Sequence, residues 1–266
     1  MSRFTAALAA EWRKLTSTAL WWVLALGMAA YLAFVGAAMA FSLTVAPEGF
    51  APPLGGLDAA LTVYGVLNAV GYVFPLVVGT LLVTTEVRHK TLTQTLLAEP
   101  RRGVVLGAKL VLAAGIGLLY GVAGVVGLVA AGAPVLSAVG DGAFLDDPEV
   151  VRALLLGVLV TGLWAVLGTG FGAVVPQQVA AVVAILAFTQ FVEPIARLAL
   201  GAVDGLSVVS AYLPGAAADA VVGASLFSQM GDVDLLPAWG GALVLLGYAA
   251  ALTLAGRLAT FARDVV

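Results

Sequence analysis

Long windows without any charged residue dominate the hydrophobic pattern of the chain. Four such windows are Leu15–Pro47, Ala59–Thr85, Leu110–Gly140 and Leu235–Gly256. Each is long enough for a helix that crosses a bilayer, which needs about 20 apolar residues. A fifth window, Ala153–Val192, has room for two spans separated by a turn at Pro176. The pattern therefore predicts an all-α integral membrane protein with six transmembrane helices.

The predicted elements make up one transmembrane domain, residues 1–266. The spans are placed at 18–46, 59–84, 107–133, 150–173, 178–196 and 237–257. A helix over 1–17 precedes them, and a polar loop over 85–103 joins the second span to the third. Residues 197–236 are apolar but broken by Gly and Pro, so they are predicted to form an extracellular or re-entrant segment, with a surface loop as the alternative.

Composition supports a membrane protein and excludes several other classes. Hydrophobic residues make up 62% of the chain and charged residues 10%, with a mean hydropathy of +1.10, whereas soluble domains are about a quarter charged. A net charge of −3 gives no basic footprint for nucleic acid. The absence of cysteine and the single histidine exclude disulfides, thiolate metal sites and multi-histidine metal sites.

Basic residues are distributed unevenly between the two predicted sides of the membrane. With both termini inside, ten of them fall on the cytoplasmic side: Arg3, Arg13, Lys14, Arg88, Lys90, Arg101, Arg102, Lys109, Arg257 and Arg263. Only Arg152 and Arg197 fall outside. The positive-inside rule therefore predicts a multi-pass protein of the cell membrane with both termini in the cytoplasm.

The N-terminal segment has the periodicity of an amphipathic helix. Phe4, Leu8 and Trp12 fall on one stripe at 100° per residue, while Arg13 and Lys14 project elsewhere. This pattern favours a helix that lies in the headgroup plane before the first span. The alternative is a positively charged flank whose periodicity is incidental.

The stretch from Thr84 to Arg102 concentrates polarity between two apolar spans. It holds the following charged residues and the only histidine: Glu86, Arg88, His89, Lys90, Glu99, Arg101 and Arg102. Thr84 or Thr85 can cap a short helix, and Pro100 marks its end. Because a connection between two helices needs only 2–8 residues, the extra length indicates a docking surface. The alternative is a solvated loop that only fixes the topology.

Two motifs resemble those of type-2 ATP-binding-cassette (ABC) transporter permeases. The segment EVRHKTLTQTLLAEPRRGVVLGAK, Glu86 to Lys109, resembles the loop of these permeases between spans two and three, and the motif EWRKL, Glu11 to Leu15, resembles their elbow helix. The chain departs from the family at Lys90, where a glycine is usual. The resemblance implies a coupling helix seated in an ATPase subunit, with interface residues Glu86, Arg88, His89, Lys90, Thr91, Thr95, Glu99, Arg101 and Arg102. It implies an elbow helix that includes Phe4, Leu8, Glu11, Trp12, Arg13 and Lys14.

The resemblance also implies a function. The chain would be the permease subunit of an ATP-driven exporter in a bacterial cell membrane, paired with a second permease chain, identical or homologous, and with two cytosolic ATPase subunits. It would not be an enzyme itself and would bind no cofactor, since ATP and Mg would bind to the ATPase. The segment GVVLGAK, Gly103 to Lys109, lacks P-loop spacing, and Lys109 is interpreted as an interfacial lysine that snorkels to the cytosol. Lipophilic drugs, peptide antibiotics or lipids would be the substrates, which links the family to multidrug or antibiotic resistance.

Three polar residues within the spans are candidates for a pathway or gate: Asn68, Gln190 and Glu193. Two of them have a structural alternative, a helix-to-helix hydrogen bond for Asn68 and an i,i+4 ion pair with Arg197 for Glu193. Glycines such as Gly117, Gly168 and Gly172 are assigned to close helix packing.

Other function classes make different demands on the sequence. A secondary transporter needs coupling-ion carboxylates and usually inverted repeats, and the sequence shows neither pattern. A membrane enzyme needs a polar catalytic cluster near the end of a span. A non-transporting scaffold needs only the bundle, and it remains the third alternative.

Overall fold

The computed structural model describes residues 2–45, 54–201, 203, 206–223 and 235–261. The regular structure of these residues is entirely helical. Six of the helical segments in this part of the chain are long and apolar enough to cross a membrane: Leu20–Val45, Gly56–Arg88, Arg102–Val139, Pro148–Val174, Gln178–Gly201 and Ala238–Ala259. We call them spans one to six. The predicted all-helical class with six membrane-spanning helices is confirmed.

Individual helices subdivide these spans and the links between them. In chain order they are α1 Arg3–Thr16, α2 Leu20–Val45, α3 Gly56–Val66, α4 Val73–Arg88, α5 Leu92–Ala98, α6 Arg102–Val139, α7 Pro148–Val174, α8 Gln178–Ala187, α9 Glu193–Gly201, α10 Ser207–Ser210, α11 Pro214–Val222 and α12 Ala238–Ala259. One turn of π-helix, Leu67–Gly71, joins α3 to α4 within span two. A second, Phe188–Val192, joins α8 to α9 within span five.

The spans run in alternating directions, so the bundle has two distinct ends. At one end α1 and α5 lie beside the start of α6, and the last residues of α12 meet the neighbouring helices. Arg102 donates a hydrogen bond to the Phe261 carbonyl, and Thr260 Oγ1 donates to the Ala173 carbonyl over 2.6 Å. We call this the basic end. At the opposite end the Gly56 amide donates to Asp141 Oδ2 over 2.7 Å.

Glycine lets spans two and four pack with their backbones in contact. A methyl group on Gly79 would lie 1.9 Å from the Ala165 carbonyl oxygen, and one on Gly168 would lie 2.0 Å from the Leu76 carbonyl oxygen. Thr80 Oγ1 donates a hydrogen bond to the Gly168 carbonyl over 3.0 Å. Small residues at a membrane helix interface permit this separation, and the interhelical hydrogen bond fixes the register of α4 against α7.

Two regions differ from the sequence-based placement. The third span, predicted at 107–133, is one helix over Arg102–Val139 that continues through Pro134, because neighbouring helices can satisfy backbone groups that proline frees. Within 197–236, α11 is buried over Gly215–Val222 and packs against spans four and six, unlike a surface loop. Residues 224–234 of that segment lie outside the described part of the chain.

Candidate functional site

Helix α1 lies against the start of span three. Ser2 caps it by accepting a hydrogen bond from the Thr5 amide over 3.2 Å, and Arg13 and Lys14 occupy its last turn. The predicted apolar stripe lies at the margin of the bundle beside α6, where Phe4 approaches Gly107, and both Phe4 and Trp12 remain exposed. Leu8 is half-buried, Arg13 is exposed, and Glu11 alone is buried on this helix. The buried face of α1 is therefore a polar one, and its orientation towards headgroups stays a prediction.

Four charged side chains form a closed ring of ion pairs between α1, α4 and α6. Lys14 Nζ lies 2.6 Å from Glu11 Oε1 and 2.6 Å from Glu86 Oε1. Lys109 Nζ lies 2.6 Å from Glu11 Oε2 and 2.9 Å from Glu86 Oε1. Lys14 Nζ also donates to Thr95 Oγ1 of α5 over 3.0 Å. We call Glu11, Lys14, Glu86 and Lys109 the ion-pair ring. It joins α1 and α5 to the end of span two and the start of span three.

Burial of the ring overturns one sequence-based interpretation. The Lys109 side chain is 0% exposed, so it does not snorkel to the aqueous phase. Its ammonium instead donates to both carboxylates and to the Leu82 carbonyl, over 2.9 Å. Two carboxylates and two ammonium groups balance the formal charge, which is the condition under which ions tolerate burial.

Lys14 is the ring member that reaches the aqueous edge, with its side chain 41% exposed. Burial by itself lowers the pKa of its ammonium. Hydrogen bonds and charge attraction from Glu11 and Glu86 outweigh that burial, so the pKa of Lys14 is raised above its ordinary value of 10.5. Lys14 is therefore cationic throughout the neutral range.

The predicted interface residues divide between the surface and the interior. Glu86 is buried and held in the ring, so it is not available for direct contact with a partner, and that part of the prediction is corrected. The remaining residues lie at the surface: Arg88, His89, Lys90 and Arg101 are exposed, and Thr91, Thr95, Glu99 and Arg102 are half-buried. Burial of Glu86 follows from its position in the last turn of α4, where α1 covers it.

Helix α5 rests on the bundle through one face and exposes the other. Leu92 is buried among apolar residues of spans two and three, including Val83, Val105 and Leu106. On the outer face Leu97 is 78% exposed, the highest value for a large apolar side chain in the described residues. Leu97 is therefore the large apolar side chain that α5 presents outward, beside polar and basic neighbours.

Lys90 begins this loop in an unusual backbone conformation, with φ of 56°. The left-handed region favours glycine, because a Cβ atom crowds the carbonyl there. Lys90 therefore occupies a position where this backbone suits glycine. Lysine holds the same turn at a local cost.

Two cavities flank the ring. One of ≈540 Å³ lies between α1 and α5, with Gln94 and Glu99 in its wall. The other, of ≈510 Å³, lies between α1, α2 and α4, with Trp21 and His89 in its wall. Glu11 and Lys14 line both cavities. Both volumes are in the range of ligand pockets.

A second polar cluster lies inside the bundle, nearer the opposite end. Asn68 of span two donates from Nδ2 to Asp219 Oδ1 over 2.5 Å, and Arg197 of span five pairs with Asp219 Oδ2 at 2.5 Å. Glu193, 1% exposed, accepts the Gly215 amide at the start of α11. We call Asn68, Glu193, Arg197 and Asp219 the buried polar cluster. It ties α11 to spans two and five.

Both π-helical turns lie at this cluster. Asn68 is within the first, and Thr189 and Gln190 are within the second, which precedes Glu193. Tyr72 Oη donates to the Thr189 carbonyl over 3.2 Å and so links the two spans. Insertions of π-helix are frequent at functional sites. Gln190, by contrast, is exposed on the outside of span five.

Sequence reasoning missed Asp219 as a member of this site. The sequence analysis assigns no role to Asp219 and gives an ion pair between Glu193 and Arg197 as one alternative; in the structure Arg197 pairs with Asp219. The available signal was an acid inside the apolar run of α11, a position that needs a partner. Asn68 makes the helix-to-helix hydrogen bond that was one of its two alternatives.

The two clusters differ in what they can do chemically. The ion-pair ring is balanced in formal charge and linked to the surface, whereas the buried polar cluster holds two carboxylates and one guanidinium. Within the described ranges, no group of three or more His, Cys, Asp or Glu side chains is placed to hold a metal ion. No family model matches the chain, and no curated protein matches it either.

Proposed function

We propose that the chain is the membrane-spanning subunit of an ATP-driven exporter of the ABC class. Two such chains form the translocation pathway in a cell membrane, and two separate ATPase subunits bind at the basic end, which faces the cytoplasm. ATP hydrolysis takes place on those subunits. The observation that carries this proposal is the ion-pair ring, because it connects the surface loop with α1 and with spans two and three.

The ring supplies a route for force from α5 into the bundle. Thr95 on α5 accepts a hydrogen bond from Lys14, whose two carboxylate partners hold Lys109 in turn. When the ATPase pair closes, displacement of α5 moves α1, the end of span two and the start of span three together. Because α4 and α7 are packed backbone to backbone, span four follows span two, and the bundle rocks open.

The buried polar cluster supplies the gate in this scheme. Asn68 and Glu193 hold α11 between the spans, so movement of spans two and five changes the contacts of α11. Gln190 lies on the exposed side of span five, the surface open to a second permease chain or to lipid. Lipophilic compounds are the proposed substrates, and export is the proposed direction, both on the strength of the family resemblance.

Co-purification with a Walker-motif ATPase encoded beside this chain tests the proposal. The wild-type complex is expected to form and to hydrolyse ATP faster than the ATPase alone. Lys14→Met is expected to keep the association but to lose that stimulation, since it interrupts the ring without changing the surface of α5. Arg257→Glu, an exposed change on α12, is the matched control. Unchanged ATP turnover in Lys14→Met contradicts the proposed route.

Ion-coupled secondary transport is a second candidate function, favoured by one observation. Two carboxylates, Glu193 and Asp219, are buried in the bundle, which the sequence pattern alone did not indicate. This alternative expects a purified chain in vesicles to move substrate down an ion gradient without ATP or an ATPase, and expects Glu193→Gln to abolish that transport. Transport that needs both the ATPase and ATP supports the exporter.

A further inference from the structure

The charges at the basic end are sorted by sign between interior and surface. The acids Glu11 and Glu86 are buried, and the Glu99 carboxylate is half-buried and accepts the Arg101 amide over 3.1 Å. Seven basic side chains are exposed: Arg3, Arg13, Lys14, Arg88, Lys90, Arg101 and Arg257. In the described part of this end, the exposed formal charges are therefore all positive.

The opposite end has the reverse balance. Asp58, Asp141, Asp146 and Glu149 are exposed there, against the exposed Arg152. In the ion-pair ring Lys14 and Lys109 neutralise Glu11 and Glu86, so half-buried Glu99 is the acid left near the exposed charges of the loop in the described part of this end. The positive field at the loop is stronger than the sequence of the loop suggests.

Leu97 lies on the outer face of α5, within this positive field. Gln94, three residues earlier, shares the outer face, while Leu92 lies against the apolar cluster below. Arg101 follows the helix, and Arg88 and Lys90 precede it. The outward surface of the loop is therefore one large apolar side chain with basic residues on both sides.

We propose that the partner of α5 is a protein surface with an apolar socket for Leu97 and a rim of Asp and Glu side chains around it. This inference rests on the proposed function and specifies the chemistry of the ATPase surface. A central apolar anchor excludes water, and complementary charges at the rim speed association and select the partner. A buried Leu97 explains why the most exposed large apolar side chain lies here, away from the lipid-facing spans.

A cysteine-free chain makes the contact directly testable. Leu97→Cys, labelled with a photo-crosslinker, is reconstituted in lipid nanodiscs with the ATPase that co-purifies with the full chain. The expected result is a crosslink to an ATPase segment with apolar residues flanked by Asp or Glu. A crosslink to an ATPase segment without acids overturns the acidic rim and leaves the exporter standing. Failure of any ATPase to co-purify overturns both, and crosslinks to lipid alone point to an anionic membrane surface and overturn the rim as well.

Affinity measurements give a second, independent readout. Leu97→Ala is expected to weaken binding of the ATPase about tenfold or more.

Lys90→Gly removes one basic charge beside Leu97 and suits the left-handed backbone. It is therefore expected to weaken ATPase binding and to reduce the salt dependence of that binding without loss of fold. Arg101→Glu is expected to do the same more strongly, and a Lys in place of the facing acid is expected to restore binding. Arg257→Glu is the control for charge reversal off the loop. Two results refute the acidic rim of the partner: binding of the wild type that does not depend on salt, or an effect of Arg257→Glu on binding as large as that of Arg101→Glu.

Discussion

Lys109 Nζ lies 2.6 Å from Glu11 Oε2, although 98 positions separate the two residues in the chain. The contact joins the first helix to the third span at a buried point, with the Lys109 side chain fully covered. A charge in such a place is stable only while its partners stay with it. The stability of the basic end therefore depends on each member of the ion-pair ring.

Replacement of Lys109 by Met is expected to destabilise the protein by about 3–5 kcal/mol, because it leaves Glu11 and Glu86 buried without that counter-charge. Thermal unfolding of the purified protein in detergent measures the effect. Arg257→Met is the control, because Arg257 is exposed at the same end, and it is expected to change stability by no more than about 0.5 kcal/mol. Equal melting temperatures for Lys109→Met and wild type contradict a buried ring.

The raised pKa of Lys14 predicts how its contribution to stability changes at high pH. Its folded-state pKa is raised, so its contribution to stability is complete below the ordinary value of 10.5 and is lost as pH rises through the raised value. The stability difference between wild type and Lys14→Met is expected to be constant across neutral pH and to shrink above about pH 10.5. Unfolding curves over a pH series check this. A difference that shrinks towards acid instead assigns the effect to another group.

Gly79→Ala tests the backbone contact between spans two and four. Its methyl group would meet the Ala165 carbonyl oxygen at 1.9 Å, so the helices must separate, and we expect a loss of about 1–3 kcal/mol or more. Gly115→Ala is the matched control on span three, since no atom lies within 4 Å of the added methyl group. That variant is expected to be neutral or slightly stabilising. Equal melting temperatures for the two variants contradict the contact.

Two variants separate the charge pair from the amide in the buried polar cluster. Asp219→Ala removes a carboxylate from buried Arg197 and is expected to cost about 3–5 kcal/mol. Asn68→Ala removes one interhelical hydrogen bond and is expected to cost about 0.6 kcal/mol, with about 1.7 as the upper end. Thermal unfolding measures both costs. If Asn68→Ala costs more stability than Asp219→Ala, then the site does not need the charge of Asp219.

The spans were predictable because their signal is simple. A window of about 20 apolar residues has few alternatives to a membrane helix, and the Pro176 turn falls between α7 and α8 as the pattern indicates. The end of span three was not predictable in the same way. Pro134 ends helices in soluble proteins, but here α6 continues through it, since neighbouring helices decide whether a freed carbonyl is satisfied.

The pairings within the ion-pair ring and the buried polar cluster could not be predicted from the sequence. Glu11, Glu86 and Lys109 were each visible as charges near predicted span ends, but hydropathy does not specify which helix covers them. The same limit applied to Asp219, whose partners Asn68 and Arg197 come from two other spans. In both places the polar residue types were evident, whereas their partners depended on tertiary packing.

Backbone contact between α4 and α7 has a consequence for how this bundle changes shape. Carbonyl oxygens of each helix occupy the space beside glycines of the other, so spans two and four cannot slide past each other without first separating. Span six packs closely on span four as well, because a methyl group on Gly256 would lie 2.4 Å from the Ala173 Cβ atom. A rearrangement of the bundle is therefore expected to carry spans two, four and six together as one unit.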